Sequence, residues 1–311
     1  MHGLVIRSTG NSCLVRTDEG TDVECIIKGN FRIRGIKSTN PVAVGDYVTI
    51  TAAEGDDPAF ITDIDERRNY IVRRSSNLSK QSHILACNLD QCLLVATISH
   101  PETSTVFIDR FLATAQAYRV PVILLFNKHD ILSDAERQKA DELCKLYSGI
   151  GYRCIRCSVL HDSGLEELNN ILKNRVTLIS GNSGVGKSTL INRLLPGLNL
   201  RTGKISDKHD TGMHTTTFSE MFPLPDGGWL IDTPGVKGFG TFDMHQEEIS
   251  HYFPEIFAIS KDCRYDDCSH TNEPGCAVLA AISEGRINPS RYASYLSMLS
   301  DESDNKYRKS D

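Results

Sequence analysis

The sequence lacks any apolar run long enough to cross a lipid bilayer, which takes about 20 consecutive residues in a helix. Its start, Met1–Arg7, turns polar too soon for a secretory signal peptide. An excess of basic charge is also missing, because 34 Lys and Arg face 40 Asp and Glu and leave a net charge of −6. We therefore expect a soluble, cytoplasmic protein with no membrane partner, which meets any nucleic acid through local contacts only.

Cysteine is too thinly spread for a disulfide scaffold. The chain has 10 cysteines in 311 residues, and three of them fall between residues 263 and 276. That grouping favours a bound metal over disulfides. Internal repeats and low-complexity segments are absent from the sequence as well. A chain of this length can form two or three domains of about 100–150 residues each.

Residues 1–68 are predicted to form the first domain. Short strand patterns separated by turn residues run from residue 3 to residue 64, and no helical pattern interrupts them. Five strands of this length are typical of an OB-fold β-barrel, which often binds nucleic acid on one face; a plain barrel that acts as a spacer is the alternative. The local basic cluster of Arg32, Arg34 and Lys37 is compatible with an RNA contact and equally with a solvated surface.

The pattern changes after a polar boundary at Asp65–Ser82. Buried-type strands then alternate with amphipathic helices, which predicts a mostly parallel sheet covered by helices on both faces, an α/β domain over residues 69–240. Residues 241–311 are predicted to form a helical third domain, and its polar end, Asp301–Asp311, is expected to fray.

A glycine-rich segment between a predicted strand and a predicted helix has the pattern G-x-x-x-x-G-K-S of a phosphate-binding loop. It consists of Gly181, Asn182, Ser183, Gly184, Val185, Gly186, Lys187 and Ser188. In such a loop the backbone N–H groups converge on the phosphates, Lys187 reaches the β and γ oxygens, and the Ser188 hydroxyl binds Mg²⁺.

Two further motifs indicate that the base is guanine. Asn127-Lys128-His129-Asp130 follows a predicted strand, at the edge of the sheet where open α/β folds bind ligands. The Asp130 carboxylate can accept two hydrogen bonds from guanine, whereas adenine lacks both donors and would leave the carboxylate unpaired. Ser158 follows the next strand and begins a segment in which a backbone N–H could hold the guanine O6.

A fourth motif points to the γ-phosphate. In Asp232-Thr233-Pro234-Gly235 the aspartate is expected to hold Mg²⁺ through water, and the N–H of Gly235 is expected to meet the γ-phosphate. One threonine between residues 212 and 217 should complete the Mg²⁺ shell when GTP is bound. We choose Thr216, although a threonine run that enters a strand is also ordinary β-sheet chemistry.

The order of these motifs is unusual. The guanine-type motifs precede the phosphate loop, whereas in ordinary GTPases the phosphate loop lies near the start, so the α/β domain is predicted to be circularly permuted. A short join at Ile171–Arg175 permits this, because the last helix of a doubly wound sheet can end beside the first strand. We hypothesise that this permutation ties the third domain directly to the segment that senses the γ-phosphate.

The third domain contains a dense group of metal ligands. Its members are Cys263, Cys268, His270 and Cys276. Three thiolates and an imidazole satisfy tetrahedral Zn²⁺, and four protein ligands leave no open position, so the predicted zinc is structural. Cys154 and Cys157 also have C-x-x-C spacing, but side chains three apart on a strand face opposite ways, which disfavours a metal or redox role there.

Together these residues resemble the RsgA (YjeQ) family of circularly permuted GTPases that depend on the small ribosomal subunit. The resemblance covers nearly the whole chain and includes Asn88-Leu89-Asp90-Gln91. It implies an OB-fold barrel, a permuted GTPase domain and a zinc domain, with GTP hydrolysis to GDP and phosphate in late maturation of the small subunit. It also implies stimulation by that subunit and rRNA contacts through the flanking domains; we expect a monomer. The nucleotide contacts it implies are Asn127, Lys128, Asp130, Ser158, Gly181–Ser188, Thr189, Thr216, Asp232 and Gly235.

The hydrolytic mechanism has one gap. Many GTPases carry a glutamine after the D-x-x-G motif to orient the attacking water, but this chain has Val236 there. Another group must then orient the water, and His214 is the nearest candidate in sequence, although a solvated loop histidine is equally compatible with it. Lys187 and His214 are therefore the predicted catalytic residues.

Two other functions stay open on the sequence alone. One is an RNA-binding scaffold in which nucleotide only sets the conformation; the intact Lys187, Ser188 and Asp232 argue against it. The other is an ATP-dependent phosphate-loop enzyme, which the Asn127–Asp130 motif disfavours.

Overall fold

The computed structural model describes residues 1–9, 12–27, 41–51, 58–74, 82–198, 219–232 and 244–307. The first five strands are β1 (His2–Ser8), β2 (Ser12–Thr17), β3 (Asp22–Ile27), β4 (Tyr47–Ile50) and β5 (Ala59–Ile64). They pair in the order β1-β2-β3-β5-β4, and a pairing of β1 with β4 closes the barrel. Burial alternates along β2, so that Cys13 and Val15 enter the barrel core. The predicted five-stranded barrel is confirmed.

A two-stranded hairpin begins inside the predicted polar boundary, residues 65–82, and its second strand extends beyond it. Its strands, β6 (Tyr70–Arg74) and β7 (Ser82–Cys87), pair antiparallel. Ile71 is fully buried in the core of the α/β domain, and Val72 is 7% exposed. The sequence pattern missed this hairpin because the apolar or aromatic runs are short, three residues in β6 and four in β7, at or below the lower limit for indicating a strand.

A buried ion pair fixes the barrel to this hairpin. The Arg67 guanidinium donates to both carboxylate oxygens of Asp46 at 2.6 Å, and the two side chains are 7% and 0% exposed. The thiol of Cys87 donates to the same carboxylate at 3.0 Å. Asp46 therefore joins the barrel, the segment after it and β7 at one point.

The α/β domain contains one central sheet. Its strands are β8 (Gln91–Thr97), β9 (Val122–Asn127), β10 (Arg153–Arg156), β11 (Val176–Ser180), β12 (Glu220–Pro223) and β13 (Trp229–Asp232). They stand in the order β10-β9-β8-β11-β13-β12, and all of them except β12 run parallel. The helices are α1 (Thr105–Ala117), α2 (Asp134–Ile150), α3 (Leu165–Leu172) and α4 (Lys187–Leu194). Successive residues of β8 alternate between two hydrophobic cores, so both faces of the sheet are covered, as predicted.

The strand order shows how the permuted chain builds the domain. The strand before the phosphate loop, β11, lies at the centre of the sheet, between β8 and β13. The half of the sheet that the chain forms first, β8 to β10, carries the guanine-type motifs, and the second half carries the phosphate loop and Asp232. Helix α3 and residues 173–175 join the two halves.

The barrel and the α/β sheet are hydrogen-bonded to each other. Strand β1 pairs antiparallel with β12 where Arg7 faces Glu220, so that the strands form an 11-stranded sheet. The guanidinium of Arg16 on β2 lies over the ring of Trp229 on β13, 5.3 Å from its centroid. The barrel thus contacts the hairpin of β12 and β13.

The C-terminal region, residues 244–307, is helical. It contains a 3₁₀ segment (Gln246–Tyr252), α5 (Pro254–Ser260), α6 (Ala277–Ser283) and α7 (Pro289–Tyr307). Its core includes Phe253 and Tyr295 and also Ala113 of α1, so the region packs directly on the α/β domain. None of the helices in the described ranges is long and apolar enough to span a membrane. The predicted domain boundaries after residues 68 and 240 stay predictions.

Candidate functional site

The phosphate-loop motif lies where β11 ends and α4 begins, as its pattern predicts. Gly181, Gly184 and Gly186 have positive φ values of 145°, 81° and 100°. A Cβ atom on Gly181 would lie 2.2 Å from the carbonyl oxygen of Val95, and one on Gly186 would lie 2.4 Å from Nδ2 of Asn127. Only glycine fits such contacts, so the loop is closely packed on the ends of β8 and β9.

The side chain of Lys187 folds back over the phosphate loop. Its Nζ donates to the carbonyl oxygens of Gly181 and Asn182, both at 2.7 Å. Burial lowers the pKa of this ammonium, and the negative charge of Asp232 opposes that shift. Because the last residue of β13, Asp232, pairs with Ile179 of β11, the ammonium and the carboxylate lie at the same edge of the sheet.

Asn127 joins the two halves of the permuted domain through a buried amide. Its Nδ2 donates to the carbonyl oxygen of Val185 at 2.8 Å, and its Oδ1 accepts the N–H of Val159 at 3.4 Å. The residue is 3% exposed. The amide therefore links the phosphate loop to the segment that begins at Ser158.

Asp130 and Ser158 come together as the sequence predicts. The Ser158 hydroxyl donates to Oδ1 of Asp130 at 2.5 Å. This hydrogen bond lowers the pKa of the Asp130 carboxyl, and the imidazole of His161, whose Nε2 lies 3.7 Å from Oδ2, acts in the same direction. The Asp130 side chain is 17% exposed. It is thus an ionised double acceptor that solvent can reach, which suits a base with two adjacent N–H donors.

Sequence reasoning missed one loop of the site, residues 98–103 between β8 and α1. Lys128 has a left-handed backbone, with φ of 64°, and its Nζ donates to the carbonyl oxygen of His100 at 2.5 Å. A Cβ atom on Gly184 would lie 3.3 Å from Cδ of Pro101. The loop therefore contacts both the base motif and the phosphate loop. Its only signal in the sequence is its position directly after a buried parallel strand.

Three predicted site residues, His214, Thr216 and Gly235, lie outside the described residues, as does the basic cluster between residues 32 and 37. Ser188 and Thr189 lie in the first turn of α4 and are partly exposed. The described part of the chain thus brings together the base motif, Ser158, the phosphate loop and Asp232.

The four predicted metal ligands also come together. The ligand atoms of Cys263, Cys268, His270 and Cys276 all lie within 4.8 Å of one another. Nδ1 of His270 is 3.6 Å from Sγ of Cys263 and 3.6 Å from Sγ of Cys276. Burial lowers the pKa of the imidazole, which favours the neutral form that a metal ligand requires. This donor set fits a tetrahedral metal ion.

Neighbouring groups fix the backbone of the metal-binding loop. Tyr292 and Tyr295 of α7 donate from their hydroxyls to the carbonyl oxygens of His270 at 2.8 Å and Ser269 at 2.7 Å. The Glu273 carboxylate accepts the backbone N–H of Ser269 at 2.7 Å. Such supporting contacts orient metal ligands and hold them in place, so the cluster is tied to α7.

Cys154 and Cys157 behave differently from that cluster. Cys154 packs against the hydrophobic core on one face of the sheet, whereas Cys157 belongs to the core on the other face. Their thiols therefore cannot share one metal ion, as the strand geometry predicts.

Comparison with known protein families identifies the chain. A family model described as the RsgA GTPase matches residues 64–242, and a second, described as the RsgA N-terminal domain, matches residues 2–61. The chain belongs to the RsgA GTPase family. Its relatives include small ribosomal subunit biogenesis GTPases RsgA from Phocaeicola vulgatus, 60% identical over 308 residues, and from Porphyromonas gingivalis, 58% identical over 312 residues. Each alignment covers 99% of both chains.

Two solved structures that are similar to this chain agree with this assignment. The crystal structure of YjeQ from Thermotoga maritima has a TM-score of 0.78 at 34% identity and covers 96% of this chain and 97% of its own. The structure of YloQ, described as a circularly permuted GTPase, has a TM-score of 0.74 at 28% identity. The match covers 98% of this chain and 95% of YloQ. As a member of the RsgA GTPase family, this chain is a GTP hydrolase with a permuted α/β domain.

Proposed function

We propose that this RsgA-family chain hydrolyses GTP to GDP and phosphate in late assembly of the small ribosomal subunit, and that the subunit stimulates it. The proposal includes rRNA contacts through the barrel and the C-terminal region, and a monomer in the cytoplasm. The names of its relatives support the choice of subunit. The observation that carries the enzymatic part is the convergence of the base motif, the phosphate loop and Asp232 at one edge of one sheet.

In this proposal the residues on the phosphate side of the site bind the phosphates and the Mg²⁺ ion. Lys187 leaves the loop carbonyls that it contacts and reaches the β- and γ-phosphates. Mg²⁺ would be held by the Ser188 hydroxyl and Asp232, and also by Thr216 when GTP is bound. All three side chains offer oxygen atoms, which are the ligands that this ion prefers. When bound, Mg²⁺ neutralises the charge that develops on the phosphates. The N–H of Gly235 would meet the γ-phosphate.

The base side of the site selects guanine. Asp130 accepts the two guanine donors, and Ser158 fixes the orientation of its carboxylate. Asn127 holds this side against the phosphate loop, and Lys128 borders the base. The complete set of proposed nucleotide contacts is Asn127, Lys128, Asp130, Ser158, Gly181, Asn182, Ser183, Gly184, Val185, Gly186, Lys187, Ser188, Thr189, Thr216, Asp232 and Gly235.

We also propose that the metal of the C-terminal region is one structural Zn²⁺. Its ligands would be Cys263, Cys268, His270 and Cys276. The chemistry of the donor set supports zinc, because three thiolates and an imidazole suit a closed tetrahedral site.

GTP hydrolysis is expected to rise by one to several orders of magnitude when purified small ribosomal subunits are added. The physical reason is that a partner which orders the catalytic groups removes the entropic cost of positioning them. The measurement is phosphate release by the protein alone, with small subunits and with large subunits.

Lys187→Ala serves as the control in that assay, because it removes the cation that reaches the phosphates and should abolish the activity. Equal turnover with and without either subunit would keep the GTPase chemistry and contradict the assigned partner. Activity that survives in Lys187→Ala would come from a contaminating enzyme.

His214→Ala is expected to lower stimulated hydrolysis by about 10²–10⁴-fold while GTP still binds, because general-base and water-positioning groups contribute about that factor. The measurements are single-turnover hydrolysis with small subunits and the Kd of a non-hydrolysable GTP analogue. Unchanged stimulated hydrolysis in His214→Ala would assign the positioning of the water to another group.

A further inference from the structure

The C-terminal region is docked on α1 by polar contacts as well as by its hydrophobic core. The guanidinium of Arg110 on α1 donates to the hydroxyl of Ser297 on α7 at 2.8 Å. Ala113, one turn further along α1, belongs to the C-terminal core. Helix α1 is therefore shared between the α/β domain and the C-terminal region.

The centre of this interface is a buried guanidinium. Nη1 of Arg291, on α7, donates to Oδ1 of Asp109 on α1 at 2.7 Å, and Nε donates to Oε1 of Glu255 on α5 at 2.6 Å. The side chains of Arg291 and Asp109 are 1% and 0% exposed. The hydroxyl of Tyr147 on α2 donates to the same oxygen of Asp109 at 2.8 Å. Four helices thus meet at one charge cluster.

A cluster of this kind fixes geometry more than it adds stability. Burial raises the pKa of the Asp109 carboxyl even though Arg291 opposes the shift, which is the sign of a large desolvation cost. Because the planar guanidinium must satisfy two carboxylates at once, it accepts only one placement of α7 and α5 against α1. The cluster therefore ties α5 and α7 to α1 through directed contacts, in addition to the packing of α1 on the α/β core.

Helix α1 begins directly after the loop that contacts the nucleotide site. Residues 98–103 are closed by two hydrogen bonds, from the N–H of Thr97 to Oγ1 of Thr103 at 3.1 Å and from the N–H of Thr103 to the carbonyl of Thr97 at 2.9 Å. Ser104 then caps α1. Within this loop His100 accepts from Lys128, and Pro101 lies beside Gly184. A shift of α1 would therefore move supports of the base motif and of the phosphate loop together.

We propose that Arg291 is a positioning residue for nucleotide binding: through Asp109 it fixes α1 and so places loop 98–103 against Lys128 and the phosphate loop. The proposal rests on the nucleotide site assigned under the proposed function. In this proposal the C-terminal region helps to form the nucleotide site itself, in addition to any contact that it makes with a partner.

The test compares two buried ion pairs in one protein. Arg291→Met removes the pair at α1, and Arg67→Met removes the Asp46 pair, which is similarly buried but lies at the junction of barrel and hairpin. The Kd and the dissociation rate of a fluorescent GDP analogue are measured below the melting transition of each variant. We expect Arg291→Met to bind about 3- to 30-fold more weakly, and Arg67→Met to stay within about twofold of the wild type.

Arg291→Lys, which keeps the charge and loses the planar fork, should recover part of the affinity. If Arg291→Met does not fold, Arg291→Lys and Asp109→Asn take its place in the same assay. Wild-type affinity in the α1 variants would overturn the proposal, and so would equal weakening by Arg67→Met. A wild-type protein that binds no guanine nucleotide would instead overturn the proposed function on which the inference rests.

Discussion

Asp130→Asn is expected to change the preferred nucleotide from GTP to xanthosine triphosphate. The carboxylate offers two acceptors to the N1–H and the amino group of guanine, whereas an amide offers one acceptor and one donor. Xanthine carries a carbonyl in place of that amino group and matches the amide. Because a site built for hydrogen bonds rejects a mismatched partner by about 10⁴-fold or more, kcat/KM for GTP should fall by about that factor. The measurement is kcat/KM for both nucleotides.

The local geometry favours this exchange. The hydroxyl of Ser158 already donates to Oδ1 of Asp130, so an amide at this position would keep its oxygen on the Ser158 side, where its second lone pair can accept the N1–H, and would present its nitrogen to the xanthine carbonyl. Ser158→Ala is the matched control: it should weaken GTP binding without a switch of base, since both acceptors of Asp130 remain. A variant Asp130→Asn that still prefers GTP over xanthosine triphosphate would contradict the role of Asp130.

The sheet and the phosphate loop were predictable because their signals are local. All seven residues of β8 are buried, and the five central ones, residues 92–96, form a continuous apolar run that indicates a buried strand without reference to its neighbours. The loop glycines are fixed by backbone geometry, since Gly181 and Gly186 have positive φ and touch Val95 and Asn127. A structural feature that depends on only a few consecutive residues leaves a recognisable pattern in the sequence.

Contacts between distant segments leave no such pattern. Arg291 and Asp109 are 182 positions apart, and nothing near either residue marks it as one half of a buried pair. The pairing of β1 with β12 and the loop before α1 were missed for the same reason. The motif predicts Asn127 as a site residue. It does not predict the hydrogen bond from its side chain to the carbonyl of Val185, 58 positions away, which links the two loops.

The second large effect is expected when the metal cluster loses a ligand. Cys276 contacts both Cys263 and His270, and its Sγ also accepts the N–H of Leu279 at the start of α6. In Cys276→Ala the cluster should retain no metal, and α6 should lose its cap. Cys144→Ala is the matched control, because it removes a partly buried cysteine outside the cluster.

Removal of the proposed metal should destabilise more than the loop between residues 263 and 276. Structural zinc contributes about 10–16 kcal/mol of apparent binding energy in small peptides at pH 7. Part of that is expected here, because α7 holds the loop through Tyr292 and Tyr295 and meets α1 through Arg291. We expect Cys276→Ala, or wild-type protein treated with a chelator, to melt at least about 10 °C lower, with Cys144→Ala within about 3 °C of the wild type. The measurements are metal content by mass spectrometry and thermal unfolding. If metal-free Cys276→Ala melted at the temperature of the wild type, the prediction would be wrong. The packed core that contains Phe253 and Tyr295 would then stabilise the region without the ion.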